Sequence, residues 1–233
     1  MLIFLKYLGI QNLTNKLQTT GVTQLRYRLI ILSSGICLSL ILTQACFGQF
    51  KVVRLVKESV PKNVKYIGNI INAIRWTDNI GDNVVILTKH KKKSNDGYID
   101  HALYAYHYLI SSDSSKLTWK VYDNISDCDV DVFLYFLEKS FAVTDLNKDG
   151  KAEIWIMYKV SCQGDISPVP MKIIMYQDKK KFALRGTTKV GVSTNEYMGG
   201  DFSFDDAFKT APIEFRKYAE KLWNLHKVET WNQ

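Results

Sequence analysis

Five consecutive apolar residues, Ile154 through Tyr158, stand between Glu153 and Lys159 in the run 152–161. In extended backbone, Ile154, Ile156 and Tyr158 point to one side and Trp155 and Met157 to the other. A strand that is apolar on both faces must be covered on both, which predicts a central strand with material packed above and below it. This requirement rules out a sheet with one bare face.

The neighbouring sequence supplies partners for such a strand. Short β-rich apolar runs recur at 84–88, 102–110, 117–122, 130–137, 141–144, 171–176 and 181–185, separated by turn residues at 95–97, 111–115, 147–150 and 177–180. The expected fold class is therefore mainly β, a β-rich α+β chain built as an antiparallel sheet or sandwich. After Gly199 and Gly200 the period changes. Behind Pro212, the residues Phe215, Tyr218, Ala219, Leu222 and Trp223 recur every three or four positions among Glu214, Arg216, Lys217, Glu220 and Lys221, which predicts a C-terminal amphipathic helix docked on the sheet.

The turn leading into the central run has its own chemistry. Asp145, Asn147 and Asp149 alternate, Gly150 and Lys151 follow, and Glu153 closes the motif. Oxygens at alternate positions of a tight turn converge on one point, and a hard cation such as calcium takes six to eight of them at about 2.3–2.6 Å. The glycine permits the bend. The full EF-hand pattern is excluded, because its twelfth position is Ile156 and the acid arrives at the ninth, as Glu153. The motif resembles the short D-x-D-x-D-G-x-x-[D/E] loops that join two strands in extracellular β-modules, with Asn147 in place of the middle aspartate. The expected ligands of one structural calcium ion are the side chains of Asp145, Asn147, Asp149 and Glu153, with the Lys151 carbonyl.

Residues 1–48 contain Lys6, Lys16, Arg26 and Arg28, no acid, and an apolar stretch at 29–42, shorter than the roughly 20 residues that span a bilayer. They read as a signal peptide with a long basic end, cleaved after Gly48, leaving 49–233 as a single exported β-rich domain. Two alternatives stay open: a lipid on Cys46, and a start site upstream of the true one that places residues 1–24 outside the translated chain. Setting the leader aside turns 31 basic and 23 acidic residues into 27 and 23. So mild a positive charge on an exported chain excludes nucleic acid as a partner and restricts membrane contact to the signal segment or the lipid. Lys89 and residues 91–93, with His90, and residues 179–181 read as solvated turns at strand ends, contact with anionic glycans or lipid headgroups being the alternative. Cys37 and Cys46 belong to the leader. Cys128 and Cys162 remain, and in an oxidising compartment they are expected to pair, enclosing the calcium motif; two buried thiols are the alternative.

Other clusters are weaker. His101 and His107 lie six residues apart, about 20 Å along a strand, too far for one ion, and read as surface or edge residues. Asp127, Asp129 and Asp131 would line one face of an extended backbone, as a solvated edge or a secondary ligand site. Glycan hydrolysis would need a carboxylate pair, drawn from Asp129, Asp131, Glu153 and Asp165, and no nucleophile elbow, zinc-binding helix motif, P-loop or dinucleotide fingerprint occurs. A carbohydrate- or protein-binding module would need exposed aromatics among Trp76, Tyr104, Trp119 and Trp155, for most of which core packing is the alternative.

Several strings between residues 76 and 186 fall in a shared order: Trp76, Thr77 and Asp78 with Gly81, Asp82 and Asn83; residues 105–108; the aspartates around Cys128; residues 143–153; residues 161–168; and residues 171–176 followed by Leu184, Arg185 and Gly186. Together they resemble a family of small exported bacterial proteins labelled surface polysaccharide biosynthesis proteins. The resemblance implies a protein of the periplasm, cell surface or medium connected with surface polysaccharide, with surface polysaccharide or envelope proteins as partners, and it carries over no catalytic residue. The residues add the expectation that the protein is non-catalytic, the glycan-processing enzyme and the binding module being the alternatives.

Overall fold

The computed structural model describes residues 50–93 and 97–229, which fall within Gly48–Gln233, one of the two units into which the chain divides. The expected leader, its cleavage point and Cys46 lie outside the described residues. Two antiparallel sheets form the body. The first contains β1 (Val53–Arg54), β2 (Asn69–Asp78), β3 (Gly81–Lys93), β4 (Ile99–Ile110) and β5 (Ser115–Ile125), each strand beside the next. The second contains β6 (Val132–Phe136), β7 (Ala142–Thr144), β8 (Glu153–Cys162), β9 (Pro170–Gln177), β10 (Lys180–Thr187) and β13 (Phe202–Phe204), in the order β13-β10-β9-β8-β6 with β7 also on β8. Between β10 and β13, β11 (Lys189–Gly191) and β12 (Tyr197–Gly199) make a separate hairpin, and the chain ends in α1 (Asp206–Lys209) and α2 (Ile213–His226).

The doubly apolar run is β8, and it lies inside its sheet. One edge pairs with β9 over Glu153↔Gln177 to Lys159↔Met171. The other is shared by β6, from Val132↔Cys162, and β7, from Ala142↔Trp155, with a short 3₁₀ turn at Glu138–Ser140 between them. Its two faces go where the alternation sends them. Ile154, Ile156 and Tyr158 pack with Ile74, Trp76, Leu87, Leu103 and Trp119 of the first sheet, closing a sandwich core. Trp155 and Met157 pack with Phe208, Phe215, Ala219 and Trp223, so the C-terminal helix covers the opposite face. Each such large apolar side chain contributes on the order of 1.5–3 kcal/mol when fully buried. Asp205 caps α1 through Phe208 N at 2.9 Å and also accepts from Ala183 N at 2.9 Å, which fixes the helical end to β10.

The first sheet is also covered on its outer face, where Leu55, Val60, Val64 and Tyr66 pack on Val84, Ile86, Tyr106 and Tyr108. That covering segment leaves part of β4 and β5 open. Two expectations about the strands are corrected. β2 is a full ten-residue strand that the apolar pattern missed, because Asn69, Asn72, Arg75 and Asp78 interrupt it. Lys89, His90 and Lys91 to Lys93 do not form a loop; they are the far half of β3, paired from Lys89↔Leu103 to Lys93↔Ile99. The strand there runs out past the core, so its side chains turn polar while its backbone stays paired. Cys128 and Cys162 form the expected disulfide, with Cα atoms 5.8 Å apart, and join the bend after β5 to the end of β8. Among the described residues, no helix is long and apolar enough to cross a membrane.

Candidate metal centre

The loop between β7 and β8 is held by a hairpin whose last pair is Thr144↔Glu153. Glu153 is fully buried at its base. Its Oε2 accepts from Thr144 Oγ1 at 2.7 Å and Leu146 N at 2.8 Å, and Thr144 Oγ1 in turn accepts from Trp155 Nε1 at 2.8 Å. Burial pushes the Glu153 carboxyl up to about 7; the bonds from Leu146 and Thr144 oppose the rise, and the nearby Asp145 and Asp149 add to it. No ion pair among the described residues involves Asp145, Asp149 or Glu153.

The remaining expected ligands fold the loop over this base. Asp145 Oδ2 accepts from Gly150 N at 3.2 Å, Asn147 Oδ1 from Asp149 N at 3.3 Å, and Asp149 Oδ1 from Lys151 N at 2.8 Å. Lys148 and Gly150 both take left-handed backbone, at φ 59° and 76°. Asp145 Oδ1 is buried without a hydrogen-bond partner. As the side chains stand, no three His, Cys, Asp or Glu among the described residues are gathered closely enough to hold a metal. Asp149 is turned toward its own backbone and Asn147 Nδ2 donates to Asp149 Oδ2 at 3.0 Å, so the loop is a hydrogen-bonded turn with one unmatched carboxylate oxygen. The donor set still suits a hard cation: three carboxylates, one amide oxygen and a carbonyl on a single turn.

Two partners of the loop were not legible in its own motif. Gln177, opposite Glu153 on β9, places Nε2 3.4 Å from Asn147 Oδ1, 3.1 Å from Asp149 Oδ2 and 3.3 Å from Glu153 Oε1. One amide nitrogen thus occupies the point on which three of the expected ligands converge. From the other sheet, the β2–β3 turn clamps the loop: Asn79 N donates to Gly150 O at 2.9 Å, Asn79 Nδ2 to Asp149 O at 3.2 Å, and Asp78 Oδ2 accepts from Ala152 N at 3.1 Å. The loop is therefore a seam between the two sheets.

Gly150 sits at the closest point of that seam, where an added Cβ would lie 2.0 Å from Asn79 Nδ2. Gly150→Ala should destabilise the protein by about 1–2 kcal/mol, part from left-handed backbone and part from displacing the Asn79 side chain. Urea unfolding measures it. In an Asn79→Ala background the cost should fall to the backbone share, and equal costs in both backgrounds would show that the clash is not felt.

The other sequence candidates are dispersed. His107 is buried, not at a surface or edge, because its ring stacks between Trp76 and Trp119 at 5.6 and 5.1 Å; His101 is half-buried at the outer end of β4. Asp127, Asp129 and Asp131 fall in an irregular bend, with Asp127 at φ 52°, so they do not line an extended face. Asp165 bonds Ser167 within its own loop. Glu153 stands nine residues along β8 from Cys162, about 30 Å, and so cannot pair with the acids near the disulfide. Trp76, Trp119 and Trp155 are core residues, while Tyr104 keeps partial exposure on the outer face of the first sheet. No family model, no curated protein and no solved structure matches the chain.

Proposed function

We propose that this chain is a non-catalytic, exported protein of the cell envelope that works in connection with surface polysaccharide, and that one calcium ion in the loop of residues 145–153 fastens its two sheets. The observation that carries the calcium reading is Asp145 Oδ1, a carboxylate oxygen buried without a donor at the base of a turn rich in oxygens. Asp145, Asn147, Asp149 and Glu153 would supply side-chain oxygens and Lys151 its carbonyl. The ion would supply positive charge to the three acids of this turn, of which Glu153 is buried, and no reaction step. Because the loop is bonded to the β2–β3 turn, holding it in place holds the sandwich closed at that end. The disulfide supports an oxidising compartment, and the resemblance through the strings around Trp76, Cys128 and Asp145 supports the connection with surface polysaccharide.

Thermal unfolding with calcium and with chelator tests the ion. Calcium at a hundredfold excess over its Kd should add about 2.7 kcal/mol of stability, and Asp145→Asn should abolish most of that response. An unchanged melting temperature on chelation would overturn the calcium reading. Retention on an array of envelope polysaccharides tests the partner, and an array that retains nothing, with or without calcium, would overturn that part.

A further inference from the structure

We infer that the outer face of the first sheet, beside β5, is a binding groove for an acidic, pyranose-based polysaccharide; this rests on the polysaccharide reading above and assigns it a place. The antiparallel register sets Tyr104 opposite Tyr122 and Tyr106 opposite Lys120. The three rings form one stack, Tyr106 to Tyr104 at 5.6 Å and Tyr104 to Tyr122 at 4.9 Å. Tyr122 ends the stack and is 50% exposed. Lys120 Nζ stands 6.0 Å from the centroids of both Tyr104 and Tyr122.

Beside the stack lies a groove of about 490 Å³ whose lining includes Asn63, Lys65, Tyr66, Tyr106, Tyr108 and Lys120, with two lysines and no acid. Its wall is set before any ligand arrives. Tyr106 Oη accepts from Ile67 N at 3.2 Å, and Tyr108 Oη donates to Lys65 O, so two of the rings are fixed by the covering segment. Preorganised rings lose little freedom on binding.

The chemistry of this face selects its occupant. A pyranose ring has an apolar face of C–H groups and an edge of hydroxyls; tyrosine offers the matching apolar body with a polar tip. Two ammonium groups without a neighbouring carboxylate in the groove favour a ligand that carries negative charge. Along the open face the row continues from Lys120 through Tyr122 to Asn124, about 13 Å of strand. That length suits a stretch of several sugars rather than a single one.

Calorimetric titration of the purified protein with an oligogalacturonate, and with a neutral maltooligosaccharide of equal length, tests the assignment. The acidic oligosaccharide should bind, more weakly as salt rises, and tenfold or more weakly after either Tyr122→Ala or Lys120→Ala. Both side chains are exposed, and unchanged thermal unfolding checks that the variants fold. Tyr197→Ala is the control: that ring is also exposed and also carries a lysine, Lys189, 4.0 Å from its centroid, but it lies on the separate hairpin. Binding that survives both the stack variant Tyr122→Ala and the groove variant Lys120→Ala, or falls equally in Tyr197→Ala, overturns the groove and leaves the polysaccharide reading standing. Equal binding of the neutral oligosaccharide overturns the acidic class. Binding to phosphatidylglycerol vesicles without binding to oligogalacturonate overturns the glycan in favour of lipid headgroups. Failure to bind either oligosaccharide overturns the groove, and the array of envelope polysaccharides then decides separately whether the broader reading survives.

Discussion

Replacing Cys128 and Cys162 together by alanine is expected to lower the stability of the protein by about 4 kcal/mol, the loop-closure entropy released when a 34-residue connection is freed in the unfolded chain. The position of the bridge makes that connection consequential. It begins in the bend that follows β5, the last strand of the first sheet, and ends at the last residue of β8, an interior strand of the second. Within the segment the bridge encloses, β6 and β7 pair on one edge of β8, while the candidate metal loop and the other edge of β8 take partners outside it, Asn79 and β9. The measurement is urea unfolding of the double alanine variant against wild type, with a fall of roughly 8–16 °C in melting temperature as the thermal counterpart for a chain of this size. Reductant added to wild type should reproduce the loss. A wild-type protein that unfolds at the same point with and without reductant would show that the two thiols are not bridged.

What the sequence made legible follows from which interactions are local. The interior position of β8 could be read because burial on both faces leaves only apolar side chains between Glu153 and Lys159, although the strand lies one place from the sheet edge, not at its centre. The stripe of α2 could be read because Phe215, Ala219, Leu222 and Trp223 face one layer only. β2 was missed for the opposite reason: it is covered unevenly, exposed at Asn69, Ile71, Arg75 and Thr77 and buried at Asn72, Ala73, Ile74 and Trp76, so no clean alternation survives. The lysine half of β3 was missed because backbone pairing continues where side-chain burial has stopped. In the loop, the alternation of Asp145, Asn147 and Asp149 is local and visible. Gln177 reaches the side-chain oxygens of this loop from 24 residues after Glu153, Asn79 reaches its backbone carbonyls from 70 residues before Asp149, and only strand register and sheet packing bring them there. The stack on the outer face was hidden likewise, since Tyr104 and Tyr122 become neighbours through the β4–β5 register alone.

Acidification from pH 7 to pH 4 is expected to cost about 3 kcal/mol through His107 alone. The imidazole is 3% exposed and belongs to a column of rings inside the sandwich, Trp76, His107, Trp119 and Tyr176, the last pair stacked at 4.2 Å. Its tautomer follows from its neighbours. Asn83 Nδ2 donates to Asp78 Oδ1 at 3.0 Å and to Gly81 O at 2.7 Å, which turns Asn83 Oδ1 toward the ring, so Nε2 bears the proton and donates across 3.0 Å, leaving Nδ1 to accept from Thr118 Oγ1. In this tautomer both ring nitrogens have a partner, with the single Thr118 hydroxyl proton shared between Nδ1 and the His107 carbonyl oxygen, 3.2 Å away. Burial pushes the His107 pKa down to about 4, and the Asp78 carboxylate opposes only part of that shift. The folded pKa lies below the unfolded value of about 6.5, so between those limits the unfolded chain binds a proton that the folded protein refuses, and each pH unit costs about 1.4 kcal/mol. Above about pH 6.5 the contribution is complete and flat. Carboxylates titrate in the lower part of the same window, so the quantity to measure is the difference in urea stability between wild type and His107→Asn as a function of pH. That difference should shrink by about 3 kcal/mol on going from pH 7 to pH 4, even though the substitution destabilises the protein at neutral pH by opening space in the column. A difference that stays constant over the window would mean that the imidazole protonates as readily inside the sandwich as in the unfolded chain. The consequence extends beyond the core. Asp78, which orients Asn83 against the ring, also accepts from Ala152 N at 3.1 Å, so the network that keeps His107 neutral ends on the residue that joins the candidate metal loop to β8.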